Sequence, residues 1–103
     1  MSEAPVVIAP MRLRHLRGVV HIERATSHRP WSTALFQGEL KLTARYYVVA
    51  LVGSTVVGYG GLMFTGYEAH LTLIATHPDY QRRQIATRVL WVLFAECRRR
   101  EVE

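Results

Sequence analysis

The chain has 103 residues, of which half are apolar and 20% are charged, and this composition excludes a disordered protein and allows one small domain spanning residues 1–103. The net charge is +5, and every one of the 13 basic residues except Lys41 is arginine, which favours an anionic partner. A single cysteine, Cys97, excludes an internal disulfide, and the histidines show no metal-ligand spacing. No apolar run approaches the ~20 residues that a membrane helix needs. We therefore expect a reduced, cytoplasmic protein without a metal.

The first half of the chain predicts one strand followed by two helices. Val6–Pro10 is a short β-branched run that ends at proline. Helical spacing then begins at Leu13, and it places Glu23 on the polar side. Ser32 is a suitable N-cap for a second helix, Thr33–Leu40. The apolar face of the first helix is predicted to comprise Leu13, Leu16, Val19, Val20 and Ile22.

The second half predicts three strands and a final helix. The strands are Tyr46–Leu51, Val56–Phe64 and Glu68–Thr76, with a bulge or a close backbone approach expected among the glycines of the middle one. Apolar periodicity then predicts a helix over Ala86–Arg100. The order is β-α-α-β-β-β-α, an α/β (α+β) fold. On the third of these strands, simple alternation predicts one shared face for Glu68, His70, Thr72, Ile74 and Thr76.

The stretch Leu71–Arg88 combines a strand, a short basic loop and the start of a helix. Such a turn directs backbone N–H groups and the positive end of the helix at one point, and Arg82 and Arg83 add full charges, as does Arg88 if it faces the same way. The pattern is typical of a phosphate or pyrophosphate site. A plain strand-to-helix connection with incidental arginines is the alternative.

The loop Gln81–Ala86 resembles the pyrophosphate loop of the GNAT N-acetyltransferase superfamily. That loop has Gln or Arg, two free positions, Gly, one free position, then Gly or Ala; here Gln84 stands where the family has its central glycine. His77–Tyr80 is similar to the family's usual lead-in. Within the superfamily the chain is most similar to RimI-like enzymes. The similarity includes the segments Pro30–Ser32, Val56–Gly61 and Glu68–His70.

The resemblance implies the N-terminal portion of the GNAT fold, with a mixed, mostly antiparallel sheet, and acetyl-CoA as cosubstrate without a metal. It implies direct attack of a protein N-terminal amine on the thioester. A ribosomal protein is the acceptor that RimI-like enzymes suggest. The residues that it assigns to the coenzyme are Ile74, Ala75, Thr76, Arg82, Arg83, Gln84, Ile85, Ala86 and Thr87.

For the chemistry, His70 is the best candidate base, because histidine titrates near neutral pH, and Glu68 is a weaker candidate that would position water or the amine. Each could instead be a polar strand residue without a catalytic role. Pro30, Trp31 and Tyr67 are expected to border the acceptor side, and Trp31 is as readily a core anchor.

Two other interpretations stay open. The chain could be a coenzyme-binding or interaction module without catalysis, which Gln84 and the missing C-terminal third of the family pattern favour. A small nucleic-acid-binding protein is less favoured, since no such motif is present. Because GNAT enzymes continue beyond the position of Glu103, we expect little turnover from these residues alone. We also expect self-association through the free edge of Glu68–Thr76 and the last helix.

Overall fold

The computed structural model describes residues 5–101 and contains the helices and strands that the sequence predicts, in the same order. Two short 3₁₀ turns, at Leu13–His15 and Pro78–Tyr80, are added to them. The strands and helices are β1 (Val6–Pro10), α1 (Leu16–Thr26), α2 (Thr33–Leu40), β2 (Arg45–Val52), β3 (Thr55–Thr65), β4 (Glu68–Thr76) and α3 (Ile85–Arg99).

The four strands form one sheet in the order β1-β2-β3-β4. Each neighbouring pair is antiparallel, so within residues 5–101 the sheet lacks the parallel pairing that the expected mixed sheet would contain. Short connections explain the pairs β2–β3 and β3–β4, because a hairpin turn joins only antiparallel strands. The antiparallel pair β1–β2 is instead connected through α1 and α2. Gly53 and Gly66 turn the two hairpins with φ of 60° and 58°, values that suit glycine.

The helices cover both faces of the sheet and divide the core in two. On one face α1 and α2 bury Val19 and Phe36 against Tyr59 of β3. On the other face α3 buries Val89 and Leu93 against β2 and β3. Each helix buries one apolar side, as amphipathic helices on a sheet do. The strand order places β1 and β4 at the two edges of the sheet.

The start of α1 differs from the prediction. Leu13 lies in a 3₁₀ turn before the α-helix and is 65% exposed, so it does not belong to the buried face. The buried His15 explains the tighter turn, because its Nδ1 accepts a hydrogen bond from the backbone N–H of Arg12 at 2.9 Å. The second helix begins as predicted, since Ser32 Oγ accepts from the N–H of Leu35 at 3.1 Å.

Candidate active site

Strand β4 contains an extra residue in the middle of its pairing with β3. Gly61 pairs with Leu73, and the next residue, Leu62, pairs with Leu71, so Thr72 has no opposite partner. This is a β-bulge, which re-aims side chains and is common beside active sites. The sequence predicts a bulge or a close backbone approach among the glycines of β3. Strand β3 does contain a bulge beside Gly58, since Ala50 pairs with Gly58 and Leu51 with Val56, which leaves Val57 without an opposite partner. The bulge at Thr72 is a second one, on β4.

The bulge reverses which side chains share a face of β4. His70 pairs with Met63 and faces the α1–α2 side, as does Thr72. Beyond the bulge Leu73 packs in the core on that same side, whereas Ile74 packs in the core under α3. The predicted common face of Glu68, His70, Thr72, Ile74 and Thr76 is therefore wrong at Ile74 and Thr76, because simple alternation takes no account of an added residue.

A cleft of about 530 Å³ lies between the end of β4 and the start of α3, and we call it the loop cleft. Tyr80 and Gln81 form part of its wall. Of the nine positions predicted to bind coenzyme, every one except Arg83 lines it: Ile74, Ala75, Thr76, Arg82, Gln84, Ile85, Ala86 and Thr87. The structure thus brings together two groups of positions, one at the end of β4 and one around the start of α3, which the 3₁₀ turn Pro78–Tyr80 separates in the chain.

The backbone of the loop is shaped to present amide hydrogens. Arg82 and Gln84 both have positive φ, at 66° and 60°, a region that side chains other than those of Gly and Asn rarely adopt. Gln84 thereby takes the conformation for which glycine is suited, and it is the N-cap of α3. The first hydrogen bond of the helix runs from the N–H of Arg88 to the oxygen of Gln84 at 3.0 Å, which leaves the preceding amides open to an anion.

The charges of the loop are arranged less simply than the sequence suggests. Arg82 is exposed at the loop cleft. The guanidinium of Arg83 lies 5.2 Å from the ring centre of Tyr80, outside the cleft lining. Arg88 does not face the loop, because its Nη2 donates to the backbone oxygen of Val6 at 2.7 Å. A predicted anion role for Arg88 is therefore wrong.

A second cleft, of about 690 Å³, lies on the other side of the β4 edge, against the loop between α1 and α2. We call it the acceptor cleft. Of the three residues expected to border the acceptor, Trp31 lines this cleft and Pro30 and Tyr67 do not; Tyr67 is 91% exposed in the β3–β4 turn. Trp31 also packs against Phe36, with ring centres 5.1 Å apart, so it serves the core and the cleft together. The two clefts meet at β4, since Ile74, Ala75 and Thr76 line both.

Glu23 is a residue of the acceptor cleft that the sequence reasoning placed wrongly on the solvent side of α1. It is only 5% exposed. One carboxylate oxygen accepts from the Tyr59 hydroxyl at 2.5 Å, and the other accepts from the backbone N–H of Trp31 at 3.0 Å. Burial, and then the bond to Glu23, raises the pKa of Tyr59 well above its ordinary value, so the phenol remains a donor. Position 23 is seven residues after Leu16 and four after Val19, so helical spacing already places it on the buried face of α1.

The two candidate catalytic side chains lie together at the start of β4. His70 Nε2 is 3.4 Å from Glu68 Oε2 and 3.2 Å from Thr65 Oγ1. Both side chains are open to solvent, with 48% of His70 and 73% of Glu68 exposed. Neither lines the loop cleft or the acceptor cleft.

Across residues 5–101 no three His, Cys, Asp or Glu side chains are grouped to hold a metal ion. Over the same residues no helix is both long and apolar enough to cross a membrane.

Comparisons with known proteins agree with this geometry. The chain is 40% identical over 67 residues to the N-alpha-acetyltransferase RimI of Mycobacterium tuberculosis, a match that covers 59% of this chain and 41% of that protein. The chain thus spans about two fifths of this curated relative.

Two solved structures share the fold. The ribosomal-protein-S18-alanine N-acetyltransferase of Escherichia coli superposes with a TM-score of 0.84 at 24% identity, over 95% of this chain and 63% of that one. The PaiA N-acetyltransferase of Thermoplasma acidophilum, solved with coenzyme A, superposes with a TM-score of 0.85 at 13% identity, over 95% and 75%. The sequence profile of the GNAT acetyltransferase family matches residues 13–103, and the chain therefore belongs to that family.

Proposed function

We propose that this chain is a GNAT domain that transfers acetyl from acetyl-CoA to a protein N-terminal amine, as RimI-type enzymes do. The observation that carries the proposal is the meeting of two clefts at the free edge of β4. A donor held in the loop cleft and an acceptor held in the acceptor cleft would approach each other across Ile74, Ala75 and Thr76.

The residues of the loop cleft fit the coenzyme. Open amides at the start of α3 and the guanidinium of Arg82 suit a diphosphate. Within residues 5–101 the only strand paired with β4 is β3, so the outer edge of β4 can bond an extended pantetheine arm like an added strand. When bound, acetyl-CoA supplies an acyl group on a thioester, which is open to attack by an unprotonated amine.

On the acceptor side, Trp31 and the neighbouring Pro30 would border the peptide, and Tyr67 would contact residues further from its N-terminus. His70 lies two residues before the bulge on the same face as Thr72. Because it lies outside the cleft, we assign it proton acceptance through water. Glu68, 3.4 Å away, would orient its ring. A backbone N–H of β4 would stabilise negative charge that develops on the acyl oxygen.

A coenzyme-binding domain without transfer is the second candidate. Gln84 favours it, since a side chain at a φ of 60° occupies space where the family has a glycine beside the phosphates. Both candidates bind coenzyme in the loop cleft, and they differ in whether an acetyl group is transferred. Coenzyme binding and acetyl transfer therefore need separate measurements.

Titration calorimetry with acetyl-CoA tests the loop cleft. We expect binding by the unaltered chain and about tenfold weaker binding in Arg82→Glu, because a carboxylate would then face the diphosphate. Lys41→Glu is the control, since it makes the same charge change at an exposed residue after α2. Absence of binding, or equal loss in both variants, would contradict a coenzyme site here.

Mass spectrometry of an alanine-starting peptide mixed with acetyl-CoA tests transfer. We expect slow acetylation of the N-terminal amine, none on a peptide whose N-terminus is blocked, and a fall of about 100-fold in His70→Ala. Coenzyme binding without any acetylation would support the second candidate instead. Equal rates for His70→Ala and the unaltered chain would remove His70 from the mechanism.

For partners, we assign acetyl-CoA, a protein N-terminus and a second copy of the chain. Self-association would use the free edge of β4, in competition with the pantetheine arm, together with the exposed apolar side chains Leu71, Trp91 and Phe94. The lone thiol of Cys97 is in keeping with activity in the reducing cytoplasm.

A further inference from the structure

A third groove lies between α1 and α2, away from both clefts at β4, and it shares no lining residue with either. Its volume is about 490 Å³, and we call it the basic groove. The residues that line it are Leu13 before α1, the buried Leu16 and Val20 together with Arg17, His21 and Arg24 on α1, and Thr33 and Gln37 on α2.

The basic groove is lined by positively charged side chains. Arg17, His21 and Arg24 occupy one side of α1 at helical spacing, and all three are exposed. Among residues 5–101, no carboxylate lines the groove. In the part of the chain that the structure describes, neither Arg17 nor Arg24 forms an ion pair.

The only acidic residues of α1 and α2 are turned inward, away from the basic groove. Glu23 is held by Tyr59 and the backbone of Trp31. Glu39 Oε1 accepts from the Tyr47 hydroxyl at 2.6 Å and from Arg45 Nε at 2.8 Å. Helix α1 therefore presents arginines outward, and both helices keep their carboxylates for internal bonds, so an acidic ligand would find no competing carboxylate from these helices.

The lining of the basic groove favours a protein ligand over a nucleic acid. No aromatic ring other than His21 lines it, so there is little surface on which bases could stack. Leu13 is 65% exposed at one end and offers an apolar contact. Thr33 and Gln37 on the opposite wall offer neutral hydrogen-bonding groups. Guanidinium groups bind carboxylates in a bidentate manner.

We propose that the basic groove binds an acidic helical segment of a partner protein. Arg17 and Arg24 are seven residues apart, which places them roughly 10 Å apart along α1. A helix lying in the groove matches this spacing with carboxylates two turns apart, and it places an apolar side chain on Leu13. This site is independent of the acetyl-transfer chemistry at β4.

The probe is a fluorescein-labelled helical peptide of 16 residues with glutamates seven positions apart and leucines on the same face, followed by fluorescence polarisation. We expect saturable binding that weakens as salt rises. Arg17→Glu/Arg24→Glu should weaken it at least about tenfold. The control Lys41→Glu/Arg98→Glu makes the same charge change at exposed residues outside the groove and should bind as the unaltered chain does.

Circular dichroism confirms that each variant is folded, and Arg17→Gln/Arg24→Gln replaces the double glutamate variant if that one is not. Equal binding of a peptide with glutamine in place of both glutamates would overturn the proposal. So would equal weakening in the control variant. A 15-nucleotide oligothymidine that binds through Arg17 and Arg24 while the peptide does not bind would also overturn it, in favour of a nucleic-acid surface.

Discussion

Gln84 adopts a left-handed backbone conformation that residues with a side chain rarely take. Its φ of 60° is in the left-handed region, where a side chain costs on the order of 1 kcal/mol relative to glycine. The open amides of α3 depend on that shape, because Gln84 is the N-cap residue directly before the helix. The loop therefore has a left-handed residue at the position where the family pattern has its glycine.

Replacing Gln84 with glycine should tighten coenzyme binding several-fold, because the strain and the bulk of the side chain are both removed. Unfolding free energy should change by less than about 1 kcal/mol, since glycine also gains entropy in the unfolded chain. Gln84→Val is the comparison and should lose stability, because a β-branched residue is an outlier at positive φ. Calorimetry and urea denaturation measure both quantities. Weaker coenzyme binding by Gln84→Gly would contradict this account.

Glu23 joins α1, β3 and the α1–α2 loop through one carboxylate. We expect Glu23→Ala to lower the free energy of unfolding by about 2–3 kcal/mol, because it leaves the fully buried Tyr59 hydroxyl without an acceptor. Tyr59→Phe should cost less, and the double variant should cost less than the sum. Urea denaturation of the four proteins gives the coupling. Strict additivity would show that the bond at 2.5 Å contributes nothing.

At the scale of whole elements, the C-terminal end of α3 is held by a cluster around Glu96. Arg99 donates to both carboxylate oxygens, at 2.9 and 2.6 Å, and Arg100 donates at 2.7 Å. The Arg100 guanidinium also lies 4.1 Å from the ring centre of Phe64 on β3. The bonds from Arg99 are the main cause that lowers the pKa of Glu96 to about 2.

Because the folded pKa of Glu96 is below its ordinary value of 4.5, its contribution to stability is present above about pH 4.5 and is lost as pH falls toward 2. Glu96→Gln should therefore cost on the order of 2 kcal/mol at pH 7 and much less at pH 2.5. Glu101→Gln, at an exposed residue after α3, is the control. Urea denaturation at both pH values tests this, and an equal loss at both would contradict it.

The free edge of β4 and the outer face of α3 should associate with another copy of the chain. Trp91 and Phe94 are 63% and 51% exposed on α3, and Leu71 is 50% exposed on β4. We expect sedimentation velocity to show a concentration-dependent dimer, which Leu71→Lys/Trp91→Ser abolishes. Leu13→Ser, at an apolar residue 65% exposed on the opposite face, should leave the dimer intact. A monomer at all concentrations would contradict the proposed self-association.

At the scale of the whole molecule, glycines on β3 allow the two core layers to lie close to the sheet. A Cβ on Gly61 would overlap the ring of Tyr47 on the α1–α2 side. A Cβ on Gly60 would come within 2.7 Å of Val89 on the α3 side. Neighbouring glycines thus leave room for a helix layer on each face of β3.

We expect Gly61→Ala to lower the free energy of unfolding by about 2–4 kcal/mol, because Tyr47 must leave its buried position. Gly38→Ala is the matched control, since a Cβ there meets nothing within 4 Å. It should stabilise α2 by up to about 1 kcal/mol, because alanine has the higher helix propensity. Thermal denaturation shows whether each variant is less or more stable than the unaltered chain. An unchanged stability of Gly61→Ala would show that Tyr47 moves aside without an energetic cost.

Much of this architecture could be predicted from local sequence. The element order, the Ser32 cap and the hairpin turn at Gly53 depend on periodicity and turn chemistry, which act over a few residues. Eight of the nine positions that the resemblance to the GNAT pattern assigned to the coenzyme line the loop cleft. Their binding of coenzyme stays a prediction.

Other features could be decided only by the tertiary structure. The bulge at Thr72 depends on how β4 pairs with β3, and it determines on which side Ile74 and His70 lie. Glu23 is buried because Tyr59, 36 residues away, supplies a donor that local spacing cannot reveal. Arg88 donates to the backbone oxygen of Val6, which is 82 residues away and is likewise invisible to local spacing. Sequence patterns determined which elements form, whereas contacts between residues distant in the chain decided which faces and which charges those elements present.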